Sequence, residues 1–157
     1  MRGQLGVWGV VMTGLTTVIV VGCSSAQMAS KTPEQIVEER QQVMKDNGAA
    51  WKHVQDQLKA GSLDGIAADA KKMSDNAKRI PALFPEGTLT EKSKAKPEVW
   101  QRKAEFDKAA MNFVAQADKL GAAAQSNDKA AVEAIAKDFG RNACGTCHQP
   151  FRVPPRQ

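Results

Sequence analysis

Apolar residues recur at helical spacing in four stretches of this chain, separated by glycine, proline and polar clusters. In the first, Val37, Met44, Trp51 and Leu58 repeat at seven, and Ile36, Val43, Ala50 and Val54 widen the stripe. Thr32-Pro33 supplies a cap followed by proline at the first helical position, and Gly61 ends the pattern. The second stretch, capped by Ser62, carries Leu63, Ile66, Ala70, Met73, Ala77 and Ile80 until Pro81 stops it. Pro81 to Lys96 reads as a long connection running over the surface at one end. The third starts at Pro97 and sets Val99, Phe106, Phe113 and Leu120 at seven, with Ala110 and Ala117 between them. Gly121 weakens its end, and the chain turns near Ser126-Asn127. The fourth points Val132, Ile135, Phe139 and Ala143 inward and finishes at Pro154 and Pro155. Four such stripes predict an all-α fold, an antiparallel up-down-up-down four-helix bundle.

The last helix ends in CGTCH, Cys144 to His148. That spacing is the one used for c-type haem attachment. Each thiol can form a thioether with a haem vinyl group, and the imidazole beside them can bind the iron. On a helix, Cys144, Cys147 and His148 share one side. A thioredoxin-like site would sit beside a βαβ pattern, and no strand alternation is present. Structural zinc needs four ligands; these residues give three, with only His53 or Cys23 available as a fourth. The expected cofactor is therefore one covalent haem c per chain, carried by the C-terminal helix. The alanine-rich seams supply little apolar area, so a haem slotted between helices would complete the core and the apoprotein is expected to be loose.

Residues Met1 to Val21 read as a secretory leader, with one cation at Arg2 and an apolar run to Val21. The run ends in VVGC, which resembles the lipobox that precedes a lipidated cysteine, here Cys23. The expected division is a leader over 1–22, a linker over 23–31 and one bundle domain over 32–157. Several acyl chains on Cys23 would anchor the protein stably. Ser24 follows, so nothing acidic retains it at the inner membrane, and an outer-membrane lipoprotein facing the periplasm is expected. Cleavage after Ala26 would instead release a soluble periplasmic protein. The formal charge is +5. Loss of Arg2 and the gain of two propionates lower it to about +2, too mild to argue for nucleic acid. The cations alternate with acids, and no block of charge singles out an acidic partner.

The whole mature chain resembles the cytochrome c-prime family, the class II c-type cytochromes. ERQQVMK (Glu39 to Lys45), IPALFPEGT with KPEVW (Ile80 to Trp100) and CGTCHQPFR (Cys144 to Arg152) look like its first-helix, loop and haem motifs. Phe151 stands where many members have tyrosine. The resemblance implies His148 as the proximal ligand and a distal residue at Met44. An apolar side chain there leaves iron open to small gases; methionine there gives the low-spin, electron-transferring branch. Spacing leaves Met44 and the inward Met73 nearly tied, with core filling the ordinary fate of either; the family position selects Met44. Arg40, one turn earlier, is implied to pair with a propionate; its alternative is a surface arginine balanced by Glu38 or Glu39. Arg152 would support the proximal face or a propionate, or simply favour the end of its helix. His53 reads as exposed.

The leading expectation is a membrane-tethered electron-transfer cytochrome whose partners are redox proteins, present as monomer or homodimer. The alternatives are a cytochrome binding gases such as NO or CO and a haem-free helical interaction lipoprotein. No catalytic carboxylate pair, nucleophile-base constellation or phosphate loop argues for an enzyme.

Overall fold

The computed structural model of the protein describes residues 31–154. The leader, Cys23, most of the linker and Pro155 lie outside the described residues. Helix α1 spans Pro33–Lys59, α2 Ile66–Arg79, α3 Glu98–Gln101, α4 Lys103–Gln125, α5 Lys129–Phe139 and α6 Thr146–Phe151. The long helices α1, α2 and α4, with α5 and α6 as the broken fourth, form a four-helix bundle.

Helix α1 starts where its sequence says. The Thr32 hydroxyl accepts from the Gln35 amide, the Gln35 side chain accepts from the Thr32 amide at 2.9 Å, and Pro33 opens the first turn. Its fully buried row is Val37, Arg40, Val43, Asn47, Ala50 and Val54. The seven-residue row of Met44, Trp51 and Leu58 lies beside it and is only half-buried. That offset matters for Met44, which faces a cavity rather than the sealed core.

Helix α2 begins later than expected. The Ser62 hydroxyl accepts from the Asp64 amide at 2.9 Å, closing a local turn rather than capping the helix. Gly65, with φ of 75°, makes the final entry, and a Cβ there would come within 3.0 Å of the His53 ring. The α-helix stops at Arg79, just ahead of Pro81, and the chain tightens into a 3₁₀ turn over Ile80–Leu83. Gly121 does not weaken α4 either. It sits inside the helix against α2, where an added Cβ would lie 3.4 Å from that of Ala70. Small residues on both sides let these two helices cross closely.

The third and fourth helices are each interrupted. Arg102, with φ of −123° and ψ of 45°, breaks the turn α3 from α4. Asp128 caps α5 by accepting from the Ala131 amide at 2.9 Å. A π-helical stretch, Gly140–Gly145, then separates α5 from α6. Pi-helical turns are rare and concentrate at functional sites; this one contains Cys144 and runs straight into Cys147 and His148. The last helix stops at Phe151, before Pro154.

Candidate haem site

A cavity of about 510 Å³ opens between α1, the connection from Ile80 to Lys96, α4 and α6. Val37, Ile80, Phe84, Val99, Phe106 and Phe151 form its apolar wall. The aromatic part of that wall is locked edge to face: Phe106 meets Phe84 at 4.7 Å and Phe151 at 5.4 Å between ring centroids. Phe151 therefore holds its place by packing, without a phenol hydroxyl. Trp51 stacks on Phe139 at 4.5 Å deeper in the bundle.

The structure brings most of the candidate residues to this one cavity. Met44, Arg40, Cys147, His148 and Arg152 all line it. Cys144 packs against the core beside them but does not line the cavity. Cys144 lies in the π stretch and Cys147 and His148 in α6 directly after it. Burial pushes both thiols up, Cys147 to about 11. Burial, aided by Arg152, holds His148 below the usual imidazole range. A neutral ring is the form that binds metal.

The two inward methionines lie in different places. Met73 is fully buried, 0% exposed, in the core against α4 and away from the cavity. Met111 is 45% exposed on α4. Among the described residues, Met44 is the methionine that shares a cavity with His148. His53 is exposed, as expected, and bonds Asp69 and Gln57 across the far end of the α1–α2 pair.

Arg40 is not a surface arginine. It is 5% exposed, and Glu39 instead pairs with Lys31 and Arg79. Its Nε donates to the Leu83 carbonyl, one terminal nitrogen to the Thr88 carbonyl at 3.0 Å, and the other to the Thr88 hydroxyl. The guanidinium also lies 3.9 Å from the Phe84 centroid. Burial lowers its pKa to about 10, which leaves it charged at neutral pH. Arg40 thus clamps the connection onto α1, and a guanidinium still has N–H groups beyond those three bonds for an anion in the cavity. Arg40→Ala is expected to cost about 2–4 kcal/mol, because buried carbonyls lose their donors. Arg40→Lys should recover less than half, lacking the fork. Denaturant unfolding of the holoprotein checks both; a loss within about 0.5 kcal/mol is what a surface arginine would give.

The sequence reading missed the connection's role. It was expected to run over one end of the bundle, yet it covers the cavity. Thr88 is buried, and its hydroxyl donates to the Pro85 carbonyl at 2.6 Å. The other end is tied to the C-terminus: the Lys96 amide donates to Phe151 O at 2.9 Å and the Val153 amide to Lys94 O at 2.8 Å. These bonds bring Ser93, Lys94 and Ala95 to the cavity. The signal was the run of two prolines, one glycine and Phe84 in IPALFPEGT.

The donor set fits a covalent haem: thiols for two thioethers, an imidazole, a thioether sulfur facing the same space, apolar walls, and Arg40, Lys45, Lys94 and Arg152 for the propionates. A helical bundle with this C-terminal site defines a c-type cytochrome. The Cytochrome C' family matches residues 35–152, and the chain belongs to that family, whose cofactor is covalently attached haem c. It is 31% identical over 156 residues to cytochrome c-556 of Rhodopseudomonas palustris, covering 88% of this chain and 97% of that one. Cytochrome c' from Thermochromatium tepidum superposes with a TM-score of 0.74 at 29% identity, over 80% of this chain and 100% of the other. A nitric oxide complex of a variant of cytochrome c prime from Alcaligenes xylosoxidans superposes with a TM-score of 0.70 at 25% identity, over 79% and 98%.

Proposed function

We propose that this cytochrome transfers electrons, with His148 and Met44 as the residues that would hold its haem iron. The observation that carries the reading is that Met44 and His148 line one cavity, whereas Met73 is sealed in the core. When bound, the haem supplies an iron that changes oxidation state by one electron. Cys144 and Cys147 hold it to the last helix. The neutral His148 ring and the Met44 thioether would hold its iron, a pairing that raises the reduction potential. Arg40, Lys45, Lys94 and Arg152 offset the propionate charge, and the aromatic wall keeps water from the iron. With both residues holding the iron, the protein would pass electrons rather than bind a substrate.

A second reading is favoured by the nitric oxide complex of the structural relative: a cytochrome whose distal side admits small gases. Carbon monoxide binding to the ferrous protein separates the two. Slow, incomplete binding is expected; fast and complete binding would establish the gas-binding reading instead.

The same proposal places the protein outside the cytoplasm, lipidated at Cys23 and facing the periplasm, on the strength of VVGC and the leader before it. Palmitate should label the wild type and not Cys23→Ser. An unlabelled protein starting at Gln27 would make it a soluble periplasmic cytochrome.

A further inference from the structure

The segment that carries the haem motif is pinned to α4 by two ring contacts and one polar contact. Before the π stretch, Phe139 meets Phe113 edge to face, with ring centroids 5.7 Å apart. After Cys147 and His148, Phe151 meets Phe106 in the same way at 5.4 Å. Apolar burial of this kind fixes how far the segment stands from α4. It is non-directional, and so constrains the backbone between the two rings less than a hydrogen bond does. The polar contact falls in that interval. Asn112 of α4 donates through Nδ2 to the Asn142 carbonyl at 2.5 Å and, at the longer distance of 3.4 Å, to the Thr146 hydroxyl. The Thr146 hydroxyl donates in turn to the Ala143 carbonyl at 2.9 Å. Asn142 and Thr146 stand two residues before and two residues after Cys144. One side-chain amide therefore spans the residue that bears the first thiol.

Asn112 does not line the haem cavity. It borders a separate groove between α4 and the last segment, with Gln116, Asn142 and Thr146, and Phe151 is the one residue common to the two linings. Whatever Asn112 does for the haem it does through the backbone it holds. A carbonyl can only accept, so the contact needs the amide nitrogen and is lost with it. Groups that fix the orientation of a metal-binding imidazole tune the metal as well as the fold.

We propose that Asn112 is a positioning residue for the haem: by holding the Asn142 carbonyl and the Thr146 hydroxyl it sets the backbone that presents Cys144, Cys147 and His148. The inference rests on haem held by those three residues and makes no use of Met44. Asn112→Leu removes the amide at nearly unchanged size and charge. Gln116→Met makes the same kind of change one turn along α4 in the same groove, at a side chain that makes no hydrogen bond to the last segment among the described residues. In the holoprotein, hydrogen exchange at the Thr146, Cys147 and His148 amides should quicken roughly fivefold in Asn112→Leu and less than about twofold in Gln116→Met. The hyperfine-shifted haem methyl signals of the ferric protein, which report how the imidazole plane is set, should move in Asn112→Leu and stay in place in Gln116→Met. The reduction potential should shift in the first variant only, with no change of charge to account for it. Equal exchange in the two variants would overturn the proposal. So would faster exchange with unmoved haem signals, which would make Asn112 a support of the fold alone. A quickening spread evenly over α1 and α2 would overturn it too, as a loss of overall stability. A high-spin wild type would contradict the axial pairing and leave these comparisons intact, so the two readings fail independently.

Discussion

Met44→Ala should convert the ferric protein from low-spin to high-spin. Among the described residues Met44 is the methionine that lines the cavity with His148, and alanine leaves no thioether in its place. Loss of methionine ligation lowers the reduction potential, and the vacated position should let the ferrous protein take up carbon monoxide at least tenfold faster. Met73→Ala is the informative partner. Met73 is fully buried in the core, so truncation should cost about 2–5 kcal/mol of stability through the cavity it leaves. Its spectrum should remain low-spin. The two methionines thus separate cleanly, one by spectrum and the other by stability. An unchanged low-spin spectrum in Met44→Ala would remove that residue from the iron.

Preventing haem attachment should have the largest effect on the fold. Cys144→Ala/Cys147→Ala would leave a cavity of about 510 Å³ without its occupant. At about 24 cal/mol per Å³ that is about 12 kcal/mol, an upper bound because the mouth opens to water. Even a third of it, about 4 kcal/mol, is a large share of the roughly 5–15 kcal/mol by which a domain is stable. The variant should keep its far-ultraviolet helical signal, lose near-ultraviolet dichroism and bind a hydrophobic dye, as a loosely packed bundle does. Retained near-ultraviolet dichroism with cooperative thermal unfolding would show that the bundle stands without haem.

The bundle was legible because its core obeys a short-range rule. Val99, Phe106, Phe113 and Leu120 announce one buried face, and α3 and α4 deliver it despite the break at Arg102. The Thr32-Pro33 start and the haem motif were legible for the same reason, since each is local chemistry. Three features were not. The π stretch Gly140–Gly145 leaves the apolar spacing of α5 intact, so nothing in Val132, Ile135 and Phe139 signals it. Ser62 looked like a cap, but capping is decided by the φ of Gly65, three residues on. The cationic lining of the cavity draws on α1, the connection and the C-terminal residues, which meet only after folding. Lys45, Lys94 and Arg152 are far apart in the sequence and line one cavity. Arg40 combines both lessons: its place on the α1 stripe was readable, while its bonds to Leu83 and Thr88 depend on a connection whose path the pattern did not define.

The central claim is that imidazole and thioether hold the iron between them. Absorption and magnetic circular dichroism spectra of the purified wild-type protein, ferric and ferrous, test it most directly. A low-spin ferric spectrum with a sulfur-to-iron charge-transfer band, and a ferrous spectrum of a six-coordinate c-type haem, are expected. A high-spin ferric spectrum without that band would contradict it.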